Sequence, residues 1–256
     1  MYPNKIKTKM KNNELLLGTA YFSNEPHVAS AILNTNPDWI WIDQEHTPWG
    51  IESIGILCVQ ARQSNIAPII RVPWNTPGYI KKAFDVGSVG VMVPQVDSAE
   101  EVAKAIEYSK YPPIGNRGIA PWFGGLLGVP AQKIIENANS EAILLTQLES
   151  VTAYEQLDDM LKLEAVEVIF VGPTDLSASL GIPGEIHHPK VEKIMLDVAE
   201  KVRKAGKQPG TTFGDIESCK RWISEGYTMM SVPNALSVGT IGLEKILAQL
   251  REEFGN

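Results

Sequence analysis

The chain has 256 residues, of which 44% are hydrophobic and 21% are charged, a composition typical of a folded globular protein. Its net charge of −7 argues against nonspecific binding to nucleic acid or to an anionic membrane surface, because both ligands are themselves negative. The sequence has no apolar segment long enough for a signal core or a bilayer span, and Cys58 and Cys219 fit free thiols in a reducing compartment, so we expect a cytoplasmic protein.

Short apolar runs alternate with longer amphipathic runs along the chain. Eight of the apolar runs are rich in Ile, Val, Thr and aromatic residues, as strands buried on both faces are. These predicted strands are residues 15–22, 38–45, 67–74, 89–96, 142–149, 166–173, 208–213 and 227–234. A helical pattern follows each of them. This order predicts an α/β fold, a (β/α)8 TIM barrel with eight parallel strands, built as a single domain over residues 1–256.

Three further segments are set apart by their patterns. Residues 112–141 are rich in glycine and proline and predict a long insertion with a functional or intersubunit role. Residues 174–188 predict a second long loop, and residues 236–256 a C-terminal amphipathic helix. A doubly wound sheet is the alternative fold, but the first predicted strand is followed by no GxGxxG phosphate turn.

Polar side chains stand where the predicted strands end. Asp43, Glu45 and His46 follow the second apolar run, and Arg71 ends the third. The later strands contribute Gln147, Glu149, Gly172, Pro173, Thr174, Asp175 and Thr212. Because the active sites of such barrels lie at the carboxyl ends of the strands, the sequence predicts one site that gathers these residues.

Two carboxylates are the main candidates for a metal site. Glu149 and Asp175 each follow an apolar run, where an unpaired carboxylate would be costly. Oxygen ligands suit a hard cation such as Mg²⁺ or Mn²⁺, although each residue could instead cap a loop or pair with an arginine. His46 is a candidate general base or a structural histidine, and Arg71 requires an anion from the protein or from a substrate.

Two barrel chemistries are disfavoured by what the predicted strands lack. No lysine lies inside a predicted strand, which argues against a Schiff-base aldolase. Glycines are sparse after the seventh and eighth strands, which argues against a phosphate-binding barrel enzyme.

Six motifs occur in order along the chain. They are D-x-E-H-x-P at 43–48, R-V-P at 71–73, D-V-G at 85–87, Y-P-P-x-G-x-R-G at 111–118, Q-x-E at 147–149 and G-P-x-D-L-S at 172–177. With them the chain resembles, from Gly18 to its C-terminus, the HpcH/HpaI family of class II, metal-dependent 2-oxo-acid aldolases.

The resemblance implies a role for each motif. Glu149 and Asp175 would bind the divalent metal, which would be Mg²⁺ or Mn²⁺, with Co²⁺ as an alternative. His46 would be the general base, and Asp85 would be its dyad partner. Arg71 would stabilise the developing enolate oxygen.

The remaining candidates would surround these groups. Gln147 and the segment Gly172, Pro173, Thr174 and Asp175 would hold the substrate, and Thr212 would shape the aldehyde side of the pocket. Asp43 and Glu45 would lie behind the ligands, with Glu45 orienting the waters of the metal.

The resemblance further implies an enzyme that cleaves or forms 4-hydroxy-2-oxo acids through a metal-stabilised pyruvate enolate and releases pyruvate and an aldehyde. Decarboxylation of oxaloacetate, or a biosynthetic C–C bond formation through the same enolate, is the first alternative. A non-catalytic barrel that binds a metal or a small acid is the second. The family also implies a hexamer, a trimer of dimers, in which the last helix is exchanged between partners.

The sequence departs from the family pattern on the aldehyde side. Gln44 stands where many members have glycine, and the loop after Gly118 carries no arginine. A pocket lined by Trp122 and Phe123 would favour an apolar or aromatic aldehyde over a dicarboxylic semialdehyde.

Overall fold

The computed structural model describes residues 4–126 and 128–255. Residues 1–3, 127 and 256, which the predicted domain, insertion and C-terminal helix include, lie outside this part of the chain. Eight strands pair in parallel, each with its sequence neighbour, and β8 pairs with β1 to close the barrel. The strands are β1 (Leu16–Tyr21), β2 (Trp39–Asp43), β3 (Ala67–Arg71), β4 (Gly90–Val93), β5 (Ile143–Leu148), β6 (Val168–Val171), β7 (Gln208–Thr212) and β8 (Met229–Val232). The predicted (β/α)8 barrel is confirmed.

One helix precedes β1, and the others follow the strands around the outside of the barrel. They are α1 (Lys5–Lys11), α2 (Pro26–Leu33), α3 (Ile51–Gln63), α4 (Pro77–Asp85), α5 (Ala99–Ser109), α6 (Trp122–Leu126), α7 (Ala131–Glu141), α8 (Val151–Glu155), α9 (Leu157–Leu161), α10 (Pro173–Ser179), α11 (Pro189–Lys204), α12 (Ile216–Ser224) and α13 (Ala235–Phe254). The long segments 112–141 and 174–188 are therefore not irregular throughout, because α6, α7 and α10 lie in them.

The ends of these helices follow the local sequence. Ser98 caps α5 by accepting a hydrogen bond from the Glu101 N–H at 3.2 Å. The Glu101 carboxylate accepts from the N–H of Asp97 at 2.7 Å, one residue before the position that a capping box requires. Gly206 and Gly226 end α11 and α12 with φ of 71° and 103°, a conformation that a side chain would strain.

Large aromatic side chains fill the interior of the barrel. Trp39 and Trp41 of β2 pack edge-to-face on Phe170 of β6, with ring centroids 6.1 and 5.9 Å apart. Gly18 leaves the space that this packing needs, because a Cβ there would lie 2.3 Å from the Trp39 ring. The barrel is thus a packed core, and ligands can enter only at its mouths.

Helix α1 closes the amino-terminal mouth of the barrel. Its Ile6 is fully buried in the interior cluster. Lys7 pairs with Glu167 just before β6, and Lys9 donates to Asp38 just before β2 at 2.7 Å. The sequence pattern did not predict this helix, because a short basic segment with few apolar residues resembles a loop.

The insertion packs against the barrel near this same mouth. Lys110 lies two residues before it, and the buried Lys110 ammonium donates to the carbonyl oxygens of Asn139 and Ala142 at 2.9 and 2.6 Å. The side chain of Asn139 exchanges hydrogen bonds with the backbone of Tyr111. The two ends of the insertion are therefore held together.

Unlike the other long helices, helix α13 leaves its apolar residues exposed. None of residues 235–254 is buried, and Leu236, Ile241, Leu243 and Ile246 are each about half exposed. Within the part of the chain that the structure describes, no helix combines the length and hydropathy needed to cross a membrane.

Candidate active site

An acidic and basic cluster occupies the carboxyl-terminal mouth of the barrel. Asp43 and Arg71 are the last residues of β2 and β3 and are paired in register. The Nε of Arg71 donates to Asp43 Oδ1 at 2.6 Å, and its Nη1 lies 2.8 Å from Glu45 Oε2. The guanidinium also stacks on the Trp41 ring, 4.4 Å from its centroid. The protein therefore supplies the anions that the buried Arg71 requires.

Glu149 is buried directly after β5 on the neighbouring side of the mouth. Its Oε1 accepts the N–H of Gln95 at 2.7 Å, and its Oε2 accepts the Gln147 side-chain amide at 2.6 Å. Gly172 gives the carboxylate room, because a Cβ there would lie 2.9 Å from Oε2. Burial raises the pKa of Glu149 to about 7, although the Gln95 hydrogen bond opposes the shift.

Asp175 follows β6, the direct neighbour of β5, and lies exposed in the first turn of α10. Its negative charge helps to raise the pKa of Glu45 and of Glu149, which places the three carboxylates within electrostatic reach of one another. Burial is the main cause of the raised pKa of Glu45, and the nearby Arg71 and His46 oppose it.

The mouth holds more negative than positive charge. Among the described residues, Asp43 and Glu45 pair with Arg71, and Glu149 and Asp175 add two further carboxylates within electrostatic reach. The Oε1 of Gln147 is buried beside them without a hydrogen-bond partner in the described structure. A divalent cation would offset this charge, and a donor set made of oxygen atoms fits a hard cation. Among the described residues, no three His, Cys, Asp or Glu side chains are already arranged as a metal-binding group.

His46 lies on the turn that leaves β2. Its backbone N–H donates to Asp43 Oδ2 at 3.3 Å, and its Nε2 lies 3.6 Å from Glu45 Oε2. About two thirds of the side chain is exposed, so the ring is at the entrance of the site and accessible to a substrate.

The structure places Asp85 away from this group. Asp85 ends α4, which runs back toward the amino-terminal end of the barrel. Ser88, three residues later, donates to the carbonyl of Pro68 near the start of β3. Burial raises the pKa of Asp85, and Arg117, Lys81 and Lys82 oppose this. Within one chain Asp85 and His46 are thus at opposite ends of the barrel.

Trp122 and Phe123 do not line the site of their own chain either. The Phe123 ring lies 5.4 Å from the guanidinium of Arg62 and against Gly87, both at the amino-terminal end. Trp122 is 73% exposed. The expected aldehyde pocket built from these two residues is therefore not formed within one chain.

Gln95 is a site residue that the sequence reasoning missed. It follows β4 with a φ of 51°, in the left-handed region that non-glycine residues seldom adopt. Besides its N–H bond to Glu149, its side-chain amide donates to Glu45 at 3.3 Å, so it links the two carboxylates. The available signal was that Gln95 is a polar residue near the end of the fourth predicted strand, 89–96.

An eight-stranded parallel barrel with an oxygen-rich acidic cluster at its carboxyl mouth defines a class of barrel enzymes. Comparison with known proteins gives the family. The sequence profile described as HpcH/HpaI aldolase/citrate lyase matches residues 21–236. The chain therefore belongs to the HpcH/HpaI aldolase/citrate lyase family, and it is an enzyme of the aldolase type, a C–C lyase.

Individual relatives agree with this assignment. The chain is 30% identical to 4-hydroxy-2-oxo-heptane-1,7-dioate aldolase of Shigella flexneri, over 99% of this chain and 94% of that protein. It is also 30% identical to 2-keto-3-deoxy-L-rhamnonate aldolase of Klebsiella pneumoniae, over 98% and 94%. The crystal structure of an HpcH/HpaI aldolase/citrate lyase family protein from Burkholderia cenocepacia superposes with a TM-score of 0.91 at 27% identity, covering 97% of this chain and 99% of that one. Enzymes of this family are generally dependent on a divalent metal.

Proposed function

We propose that the chain cleaves and forms 4-hydroxy-2-oxo acids, with pyruvate as the 2-oxo acid and an aldehyde as the second product. The observation that carries the proposal is the excess of carboxylates around Arg71, with Gln147 Oε1 left without a partner beside them. The names of relatives that act on 2-oxo acids support it.

Glu149 and Asp175 are the residues that would hold a divalent cation, Mg²⁺ or Mn²⁺. When bound, the cation supplies Lewis acidity that stabilises the negative charge of an enolate. The raised pKa of Glu149 supports this assignment, because a buried carboxylate surrounded by like charge is stabilised by a cation.

The remaining residues would bind pyruvate and move its proton. Arg71 uses Nε and Nη1 for Asp43 and Glu45, which fixes the guanidinium plane and leaves Nη2 for a substrate oxygen. His46, exposed at the entrance, would remove a proton from C3 of pyruvate during synthesis and return it during cleavage. Gln147 and the segment 172–175 would hold the 2-oxo acid.

We infer that the working protein contains several copies of the chain. The 20 residues of α13 bury none of their side chains in their own barrel, and their exposed leucines and isoleucines form the kind of apolar surface that marks an interface. A partnership between Asp85 and His46 also requires a second copy, since one chain holds them at opposite ends. Light scattering is expected to give a multiple of 28.1 kDa, in agreement with the predicted hexamer, and a monomer would contradict this inference.

Exchange of the C3 protons of pyruvate in D₂O, followed by NMR, tests the proposed chemistry without an aldehyde. The metal-stripped protein, the protein with Mg²⁺ or Mn²⁺ restored, and Glu149→Gln would be compared. We expect exchange only in the restored wild type, with a loss of at least about 100-fold in the variant.

Glu225→Gln is the matched control, because Glu225 is an exposed carboxylate at the end of α12. It should retain full exchange. Exchange that persists without metal, or in Glu149→Gln, would contradict the proposal. Turnover of oxaloacetate without any exchange of pyruvate would favour the decarboxylase alternative.

A further inference from the structure

A cavity of about 200 Å³ opens at the carboxyl mouth beside the acidic cluster. Thr174 lines it and is the neighbour of Asp175 in the chain. Trp41 forms another wall, and the Arg71 guanidinium stacks on its ring. The cavity is therefore adjacent to the place where C3 of a bound pyruvate would react.

The walls of this cavity are largely apolar. Phe22 packs edge-to-face on Trp41 with centroids 6.1 Å apart. Phe213 and Val232, from the segments around β7 and β8, and Ile186, from the loop between α10 and α11, complete the apolar surface. An aromatic or branched aliphatic group that enters the cavity would remove these surfaces from water.

The polar groups in the cavity carry no formal charge. Thr174, Thr212 and Asn234 are the ones that line it, and no lysine, arginine, histidine or carboxylate is among its described lining residues. The Asn234 side chain already caps α13 by accepting the N–H of Ser237 at 3.0 Å. A second carboxylate on an aldehyde would thus meet no cation among the described lining residues of the same chain, next to a mouth that already has excess negative charge.

We infer that this cavity is the acceptor site and that it takes an uncharged aldehyde with an apolar or aromatic side chain. The inference rests on the proposed function. In synthesis, C3 of pyruvate gives up one proton, bonds to the aldehyde carbon, and the carbonyl oxygen gains one proton, so no oxidant or reductant is required. Thr212 and Thr174 are placed to donate to the aldehyde oxygen or to a hydroxyl group beside it.

A comparison of aldehyde acceptors, each supplied alone, tests this inference. The protein with Mn²⁺ and pyruvate would receive hydrocinnamaldehyde, hexanal, glycolaldehyde and succinic semialdehyde separately, with initial rates followed by loss of pyruvate. We expect kcat/KM for hydrocinnamaldehyde and hexanal to exceed that for succinic semialdehyde at least about tenfold.

Val232→Arg would place a cation in the wall of the cavity. It should shift the ratio of the two kcat/KM values at least about tenfold toward succinic semialdehyde. Ile56→Arg is the matched control, because Ile56 is 52% exposed on α3, and its ratio should equal that of the wild type. Phe22→Ala, at a rim position that is 36% exposed, should raise KM for hydrocinnamaldehyde more than it lowers kcat.

Two failures are distinguishable by the pyruvate exchange measurement. A wild type that exchanges C3 protons but prefers succinic semialdehyde would overturn the acceptor assignment and leave the proposed function intact. A ratio unchanged in Val232→Arg, or an unchanged KM in Phe22→Ala, would also overturn it. A wild type that shows no exchange with any metal would overturn the proposed function and this inference with it.

Discussion

The two mouths of the barrel differ in how fully their charged side chains are paired. At the amino-terminal end, Lys7 and Lys9 each pair with a carboxylate, and the ammonium of Lys207 donates to the carbonyls of Leu163 and Val166 at 2.9 and 2.6 Å. At the carboxyl end of the described structure, Arg71 pairs with Asp43 and Glu45, while Glu149 and Asp175 lie nearby without an ion pair. The difference indicates that the first mouth is arranged for stability and that the second retains an unfavourable charge excess that a ligand can offset.

The largest expected effect comes from replacing Arg71, the positively charged side chain of the carboxyl mouth. Arg71→Met would leave the buried Asp43 and Glu45 without their partner, and we expect the free energy of unfolding to fall by about 3–5 kcal/mol. Urea unfolding would measure this. Arg221→Met, which breaks the exposed bidentate pair with Glu192, should cost less than about 1 kcal/mol. Equal losses in the two variants would show that the buried Arg71 pairs contribute no more to stability than an exposed pair does.

The amino-terminal mouth should affect stability without affecting chemistry. Ile6→Ala would leave a cavity beneath the barrel interior, and we expect a loss of about 2–4 kcal/mol in the free energy of unfolding. The rate of pyruvate proton exchange per folded molecule should stay within about twofold of the wild type. Ile56→Ala, at an exposed position, is the control and should cost little. A large change in exchange rate would mean that α1 acts on the site.

The smallest expected effect is a pH-dependent gain in the stability of the metal-free protein from Glu149→Gln. The folded pKa of about 7 exceeds the ordinary value of 4.5, so between these values the folded chain binds more protons than the unfolded chain. Glu149 therefore destabilises the metal-free protein progressively as pH rises through this window, by up to about 3 kcal/mol above pH 7.

Melting temperatures in EDTA would measure this gain. Glu149→Gln should melt above the wild type at pH 8 and equal to it near pH 4.5. Added Mn²⁺ should raise the melting temperature of the wild type alone. Parallel pH profiles for the two proteins would contradict the assigned pKa and its cause.

Much of the scaffold could be predicted from local pattern. Runs such as 142–149 and 166–173 are mostly apolar on both faces, a signal that needs no knowledge of tertiary contacts, and every predicted strand was found within a few residues. Helix α1 was missed because its only fully buried side chain is Ile6, and its stabilising partners Glu167 and Asp38 are distant in sequence.

The site was predictable where strand ends carry it. Asp43, Arg71, Gln147 and Glu149 end or follow strands, so the barrel rule gathers them without further information. Asp85 and Phe123 lie on helices, and which mouth a helical residue approaches depends on its position along the helix and on how the insertion folds back. That information is tertiary, and a residue pattern does not contain it.

Trp41 lies between the Arg71 guanidinium and the proposed acceptor cavity, and different strands supply the two sides. Strands β2–β6 provide the ionic groups, whereas the segments around β1, β7 and β8 provide most of the cavity wall. Substitutions on the two sides of Trp41 that do not share a partner should combine additively. New aldehyde preferences can therefore be selected at Phe22, Thr212 or Val232 while the ionic groups stay fixed, whereas Trp41 and Thr174 adjoin both sides.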